Sequence, residues 1–354
     1  MNLKYFNGKS VFVTGHTGFK GAWLCQILKH AGASVTGYAL APENGALFEA
    51  LSVSDGMNSI IGDIRDLGVL SLAFDFTQPE IVLHLAAQPL VLDSYERPAY
   101  TFDTNIIGTA NLLECARRSG SVRSVVIVTT DKVYKNHEWV YGYREIDELG
   151  GSDPYSASKA CAEIVAESYR ISFLSKKEVP LSTTRAGNVI GGGDISANRI
   201  IPDCVRAAKR NEPITVRNPD SVRPYQHVLE PLFAYLYIAK KQLDEPAFAG
   251  SYNIGPDESD YCTTGLLVDT FCNAWGDGMY RKDIPMKNAP HETGLLKLDC
   301  SKMRSIFGWR PVWDVKTAVE KTVEWEKARH LGGNINEIIE KQIDEYMNCI
   351  RYEM

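Results

Sequence analysis

The sequence predicts an α/β protein: a doubly wound parallel sheet with a smaller C-terminal α/β cap. Three observations predict it. Short, continuous β-branched runs recur through the first two-thirds of the chain, stretches of helical period separate them, and a glycine-rich turn follows the first run. Unbroken apolar strands are what a parallel sheet needs when helices cover both of its faces. At 354 residues there is interior enough for one large or two ordinary domains around a deep cleft.

In chain order, Ser10–Thr14 (SVFVT) reads as the first strand and residues 19–31 as the helix it feeds. Residues 34–40, 60–63 and 81–85 read as the next three strands, 124–129 (SVVIVT) as the fifth and Leu181–Ala186 as the sixth. Helical spacing fits 65–74, 98–119 and 154–174 between them. After Asn188 the texture changes. Residues 191–193 are a glycine loop, and Pro202, Pro213, Pro219, Pro224 and Pro256 break the later elements, leaving helices at 202–211, 229–242 and 315–329. The expected organisation is a Rossmann-type domain over 1–187, to which later segments return, a mainly substrate-binding cap over 188–333, and a helical tail over 334–354. No Gly/Ser/Pro linker separates the first two.

Charge excludes some partners. With 38 basic and 44 acidic residues the formal charge is −6, which argues against nucleic acid or an anionic membrane surface, though not against a local basic pocket for one phosphorylated ligand. No apolar run is long enough to span a bilayer. The eight cysteines (Cys25, Cys115, Cys161, Cys204, Cys262, Cys272, Cys300, Cys349) are scattered without a C-x-x-C pair, so no metal site is expected. The strand-like segment at Lys9 leaves no room for a secretory leader after Met1, and the expected location is the reducing cytoplasm.

The turn Thr14-Gly15-His16-Thr17-Gly18-Phe19-Lys20-Gly21 spaces its glycines G-x-x-G-x-x-G between the first strand and the first helix. Gly15 permits a tight turn, and Gly21 lets the helix pack closely. Gly18 lets backbone approach a pyrophosphate at the helix N-terminus, where unpaired N–H groups and the helix dipole favour an anion. In this position the motif predicts a dinucleotide cradle built from Thr14, Gly15, Thr17, Gly18, Phe19, Lys20 and Gly21, against the plainer reading of an ordinary βα turn. The second strand ends Thr36-Gly37-Tyr38-Ala39-Leu40, with neither the carboxylate that holds the ribose of NAD nor an arginine for the phosphate of NADP. NAD is expected, with NADP open. Asp63, followed by Ile64, is either an adenine contact or the N-cap of the next helix.

Tyr155 and Lys159 stand four apart at the start of a helix, so they share a face. A phenol titrating near pH 10 is a poor base at neutral pH, and a neighbouring ammonium or a positive nicotinamide ring favours the phenolate. Alone, Y-x-x-x-K is a common surface pair. Here it follows Thr129-Thr130-Asp131-Lys132 at the carboxyl end of the fifth strand, where doubly wound sheets bind ligands.

Together, residues 14–21, Leu85-Ala86-Ala87-Gln88, 129–132 and Tyr155-x-x-x-Lys159 resemble the extended short-chain dehydrogenase/reductase family of nucleotide-sugar enzymes. Within it, Asp131-Lys132-Val133-Tyr134, WVYGYRE (139–145), 150–159, RAGNVIGGG (185–193), RPYQHVLEP (223–231) and 291–299 resemble the branch of 4,6-dehydratases that act on CDP-glucose, along nearly the full chain. The resemblance implies a redox-neutral loss of water. Tyr155, assisted by Lys159 and Thr130, takes the 4-hydroxyl proton while hydride leaves C4 for the cofactor. Asp131 then protonates the departing C6 hydroxyl as a base takes the C5 proton, and the hydride returns at C6. A 4-keto-6-deoxy sugar results, still on its nucleotide. The resemblance also implies cofactor contacts from Leu85, Ala86, Ala87, Gln88 and Asn105. A pocket for the nucleotide-diphosphate sugar would hold Gln88, Asn188, Arg199, Arg217, Arg223 and His291, with Glu292 and His227 as further members or as structural residues. Arginine suits the phosphates because its fork binds two oxygens. A homodimer or dimer of dimers is implied, joined through 98–119 and 154–174.

Two positions keep alternatives open. Lys132 stands where the dTDP-glucose enzymes of the family carry a glutamate base. It acts as that base once neutral, or it positions Asp131 while another group removes the proton. Residues Leu92-Asp93 stand where the family usually has an arginine, which bears on the choice of sugar and nucleotide. A 4-epimerase, a UDP-N-acetylhexosamine 4,6-dehydratase and a redox-inert NAD-binding regulator share much of the motif set. An epimerase, though, has no use for an acid at C6, so Asp131 and Lys132 speak against it.

Overall fold

The computed structural model describes residues 3–284 and 295–351. Seven strands form one parallel sheet: β1 (Ser10–Thr14), β2 (Ser34–Ala39), β3 (Asn58–Ile61), β4 (Ile81–His84), β5 (Ser124–Val128), β6 (Leu181–Ala186) and β7 (Ser251–Ile254). Their spatial order is β7-β6-β5-β4-β1-β2-β3. The chain runs outward from β1 to β3 and then crosses back to β4 beside β1. That reversal opens a crevice at the carboxyl ends of β1 and β4, where sheets of this topology take ligands. Register brings Thr14 of β1 opposite His84 of β4, and Val128 of β5 opposite Thr184 of β6.

Side chains alternate between two cores, as the period of two along a strand requires. Val11, Val13, Ile81, Leu83, Val126 and Val128 face a core shared with helices α1 (Phe19–His30) and α6 (Leu229–Asp244). Phe12, Val82, Val125 and Ile127 face the opposite core, shared with α2 (Leu67–Thr77), α3 (Gly108–Arg118) and α4 (Pro154–Tyr169). A third core binds α5 (Ile200–Lys209), α7 (Thr264–Trp275) and α8 (Val315–His330). Helix α6 is buried at every residue from 229 to 239, Glu230 included, as a helix enclosed on all sides must be.

Several elements differ from expectation. Residues 98–119 are helical but arrive in pieces: Pro98–Phe102, a wider π-helical turn at Asp103–Ile107, then α3. The segment 154–174 likewise passes from α4 into a π-helical turn at Arg170–Leu174. The third strand starts at Asn58, and α2 starts at Leu67 behind Asp66, whose carboxylate accepts the Val69 N–H at 3.0 Å. Asp63 is therefore not the cap of that helix. Helix α7 and the short helices Val91–Glu96 and Ser301–Phe307 go beyond the sequence reading, two of them being too brief to display a period. The C-terminal segment is integral. Helix α9 (Ile335–Cys349) buries Ile339, Ile343 and Tyr346 in the core that contains α6. Among the described residues, no helix is long and apolar enough to cross a membrane, and no three metal-ligating side chains gather.

Candidate active site

Gly15 sits at φ +75°, and a Cβ there would lie 2.7 Å from the Ala86 nitrogen. A Cβ on Gly21 would lie 2.0 Å from the Gly15 oxygen, so α1 packs flush against the turn. Gly18 is different. It is exposed, it begins α1 without a side-chain cap, and a Cβ there would meet only the Gly15 oxygen, at 3.4 Å. The first N–H groups of α1 are thus left open to an anion. Thr14 Oγ1 accepts the backbone N–H groups of Leu85 and Ala86, each at 3.1 Å, and bonds His84 Nδ1 at 2.7 Å, locking the turns after β1 and β4 together. The Thr17 hydroxyl donates to the Leu40 carbonyl at 3.0 Å, and Phe19 packs under Gly191. These residues fit the pyrophosphate of a dinucleotide.

At the far end of the crevice Asp63 accepts from Arg65, with Nη2 at 2.6 Å and the backbone N–H at 2.9 Å, and this holds its carboxyl below the usual range. Ile64 is buried against Gly108. The Gln88 amide is consumed within the chain. Its Nε2 donates to Thr101 Oγ1 at 2.9 Å and to the Leu90 carbonyl at 3.1 Å, while its Oε1 accepts the Leu90 N–H at 2.5 Å. Asn105, in the π-helical turn, accepts the Gln88 N–H at 2.8 Å and donates to Ser158 Oγ at 2.8 Å. Both residues shape the wall of the crevice through the turns they tie.

The turn after β5 brings the chemistry together. Thr130 caps a short 3-10 turn, accepting the Lys132 N–H at 3.4 Å, and its hydroxyl donates to Asp131 Oδ1 at 3.0 Å. Asp131 is 1% exposed, and its Oδ2 has no hydrogen-bond partner among the described residues. Burial raises its pKa, while the charges of Lys132 and Arg223 and the Thr130 hydrogen bond oppose the rise. Lys132 is half-buried beside it. At the start of α4, Asp153 caps the helix by accepting the Ser156 N–H at 2.9 Å, and Ser94 Oγ accepts the Tyr155 N–H at 3.2 Å. The Tyr155 phenol is hydrogen-bonded with Thr130, yet burial pushes it up to about 12. Lys159 donates its Nζ to the Val128 carbonyl at 3.1 Å, and burial brings the ammonium down to about 8. What opposes the rise of the phenol is the Thr130 hydrogen bond and the Arg199 charge, where the sequence led one to expect Lys159.

From the cap side, Arg199 precedes α5, donates to Asp194 at 3.2 Å, and its charge favours the Tyr155 phenolate. Arg223 is buried, donates to the Val222 carbonyl at 3.0 Å, and acts electrostatically on Asp131. The backbone carbonyl of Asn188 accepts the Gln226 N–H at 3.0 Å. Arg217 is exposed. His227 is structural: buried between the rings of Trp23 and Trp313, it is held neutral near pKa 3 by burial and accepts the Leu229 N–H at 3.3 Å. His291 and Glu292 lie outside the described residues.

Sequence reading overlooked Glu163. It lies two helical turns beyond Tyr155 on the same face and is buried. It accepts from Thr129 at 2.5 Å, Thr183 at 2.7 Å and Arg185 at 2.9 Å, and its charge supports that of Lys159. The spacing Tyr155, Lys159, Glu163 was the available signal. The arginine partner on β6 carried none.

A model of the NAD dependent epimerase/dehydratase family matches residues 11–255. The chain is 46% identical to a CDP-glucose 4,6-dehydratase of Salmonella typhimurium, with 99% of each chain covered. It is 26% identical to a dTDP-glucose 4,6-dehydratase of the same organism, over 89% of this chain and 92% of the other. A dTDP-glucose 4,6-dehydratase from Bacillus anthracis, solved in complex with NAD, shares the fold at TM-score 0.77 and 21% identity, covering 94% of this chain and all of that one.

Proposed function

The chain belongs to the NAD dependent epimerase/dehydratase family, and from that membership we propose that it dehydrates CDP-D-glucose to CDP-4-keto-6-deoxy-D-glucose. Asp131 carries the reading. A buried carboxyl whose pKa burial raises, with one oxygen unpartnered among the described residues, suits the proton donor that loss of the C6 hydroxyl requires and inversion at C4 does not.

Residues 14–21, with the turn after β4, would hold NAD, whose nicotinamide when bound accepts and returns the sugar's hydride. The chain's own residues handle the protons. Tyr155 Oη takes the 4-hydroxyl proton, with Thr130 bridging it to Asp131. Lys159, anchored on the Val128 carbonyl, supplies positive charge that the buried phenolate needs. Asp131 Oδ2 delivers a proton to the leaving C6 hydroxyl. Lys132, next in the chain, is the base for the C5 proton. Arg199 and Arg223 bind the nucleotide diphosphate from the cap. We place the enzyme in a reducing cytoplasm, where its eight free cysteines are stable, and in the supply of deoxysugars.

The test is incubation with CDP-glucose, dTDP-glucose, UDP-glucose and UDP-N-acetylglucosamine, followed by mass spectrometry. Loss of one water from CDP-glucose ahead of the others is expected. No loss from any donor would overturn the dehydratase reading, and preference for another nucleotide would overturn the substrate.

A further inference from the structure

Thr14 on β1, His84 on β4, Asn105 in the π-helical turn, Thr109 on α3 and Ser158 on α4 are all fully buried. Their hydrogen bonds form one unbroken line. Thr14 Oγ1 lies 2.7 Å from His84 Nδ1, and His84 Nε2 lies 3.1 Å from Thr109 Oγ1. Thr109 donates to the Asn105 carbonyl at 2.7 Å. The Asn105 side chain donates to Ser158 Oγ at 2.8 Å, and Ser158 donates to the Tyr155 carbonyl at 2.7 Å. The line starts in the glycine turn and ends on the backbone of the residue assigned to C4 oxidation.

The partners of His84 decide where its ring proton sits. Thr14 Oγ1 already accepts the N–H groups of Leu85 and Ala86, each at 3.1 Å, which occupies both of its lone pairs. Its own proton therefore goes to His84 Nδ1. Thr109 gives its proton to the Asn105 carbonyl, so it must accept from Nε2. His84 is thus the neutral tautomer protonated at Nε2, and a second ring proton would face an oxygen with no lone pair left. Burial and the charge of Lys159 act in the same direction, holding the ring neutral down to about pH 3. The Asn105 amide is fixed in the same way. Its Oδ1 accepts the Gln88 N–H at 2.8 Å, which turns Nδ2 to the Gln88 carbonyl and to Ser158. Every proton along the line points from the turn towards Tyr155, an arrangement in which successive hydrogen bonds strengthen one another.

Hydride transfer requires a cofactor held by the turn and a sugar hydroxyl met by Tyr155 to stand in one fixed relation, and a misplacement of about 1 Å costs about 10²-fold in rate. We propose that His84 is a positioning residue for C4 oxidation, a neutral hub that sets the start of α4, and Tyr155 with it, against the glycine turn. The inference rests on the dehydratase reading above. His84 acts through Tyr155 and exchanges no proton in the reaction. A charge gained on the ring would fall beside Lys159, and the filled lone pairs of Thr14 prevent it.

Two measurements test this. Nitrogen-15 NMR of the histidine rings, with His84 assigned through its own backbone, should show one proton, on Nε2, unchanged from pH 5 to pH 9. A proton on Nδ1, or titration within that window, would overturn the proposal. In stopped-flow single turnover of CDP-glucose, Thr109→Val removes the oxygen that receives the ring proton. The rise in reduced-cofactor absorbance should slow by about tenfold or more, while Kd for NAD stays within about twofold of the wild type. Thr109→Ser keeps the oxygen and should restore the rate. Ser158→Ala, which cuts the line at its far end, should show the same split between rate and affinity, and it takes the place of Thr109→Val if that variant does not fold. Wild-type oxidation rates in the cut variants, whatever their urea midpoints, would overturn the proposal and leave His84 a structural residue. A loss of rate matched by an equal loss of NAD affinity would overturn it too. No reduced cofactor in the wild type with CDP-, dTDP- or UDP-glucose would overturn the dehydratase reading together with the inference.

Discussion

Asp131 meets two opposing demands: it must take up a proton and give it up on cue. Burial favours the protonated form, and the positive charges of Lys132 and Arg223 favour the carboxylate. Asp131→Asn keeps the shape and loses the proton. Product formation should fall by roughly 10²–10⁴-fold while oxidation at C4 remains visible as a rise in reduced-cofactor absorbance. Lys132→Ala should give the same reduced-cofactor signature with elimination stalled, and normal turnover in that variant would remove the lysine from the base role. Lys159 sets the alkaline limit. Its ammonium is held below about pH 8 and lost above it, so kcat for C4 oxidation should fall as pH rises through that value, in a stopped-flow pH profile. At this scale the sequence was legible wherever chemistry is contiguous, as in residues 14–21 and 130–132. It was silent on the Lys20–Tyr235 contact, which joins side chains 215 positions apart.

Helix α4 gathers Tyr155, Lys159 and Glu163 on one stripe, and its value as an element lies in what Glu163 holds. Glu163→Ala strands a buried arginine. Such losses cost about 3–5 kcal/mol, and urea unfolding should show a drop of that order, with Glu163→Gln losing less. A second buried carboxyl ties elements together. Glu230 of α6 accepts the N–H groups of Val312 and Trp313, at 3.0 and 2.7 Å, and the Tyr346 hydroxyl of α9 at 2.6 Å. Burial pushes it up to about 7 from the ordinary glutamate value of 4.5. The folded chain therefore holds this proton more tightly than the unfolded chain does. The resulting stability is complete below about pH 4.5 and is lost as pH rises through 7, up to about 3 kcal/mol in all. Thermal unfolding of the wild type at pH 5 and 8 should show that loss relative to Glu230→Gln, in which the window is flat. The π-helical turns escaped sequence reading for a physical reason. One extra residue in a helical turn leaves the apolar period almost intact on either side, and what reveals it is the backbone bonding, from the Gly108 N–H to the Asp103 carbonyl and from the Ser175 N–H to the Arg170 carbonyl.

Over the whole molecule the parallel sheet was legible because its strands are unbroken apolar runs, and the cap was not, because its short pieces owe their form to one another. Helices α3 and α4, with the turns beside them, leave Ile107, Ile164, Ile171 and Phe173 exposed on one flank. We expect a homodimer through that flank, with sedimentation at micromolar concentration showing twice the chain mass, and Ile164→Lys shifting it to monomer. The enclosed helix α6 binds the halves together. It packs on the sheet, offers Tyr235 to the cofactor turn, and is clasped by α9 through Phe233 against Tyr346 and through Glu230. That clasp has a consequence for how the protein comes into being. Every residue assigned to the chemistry, and the whole sheet, leaves the ribosome before α9 does, and Tyr346 follows Glu230 by 116 positions. A nascent chain therefore carries its full set of reactive groups well before the wall behind them is braced.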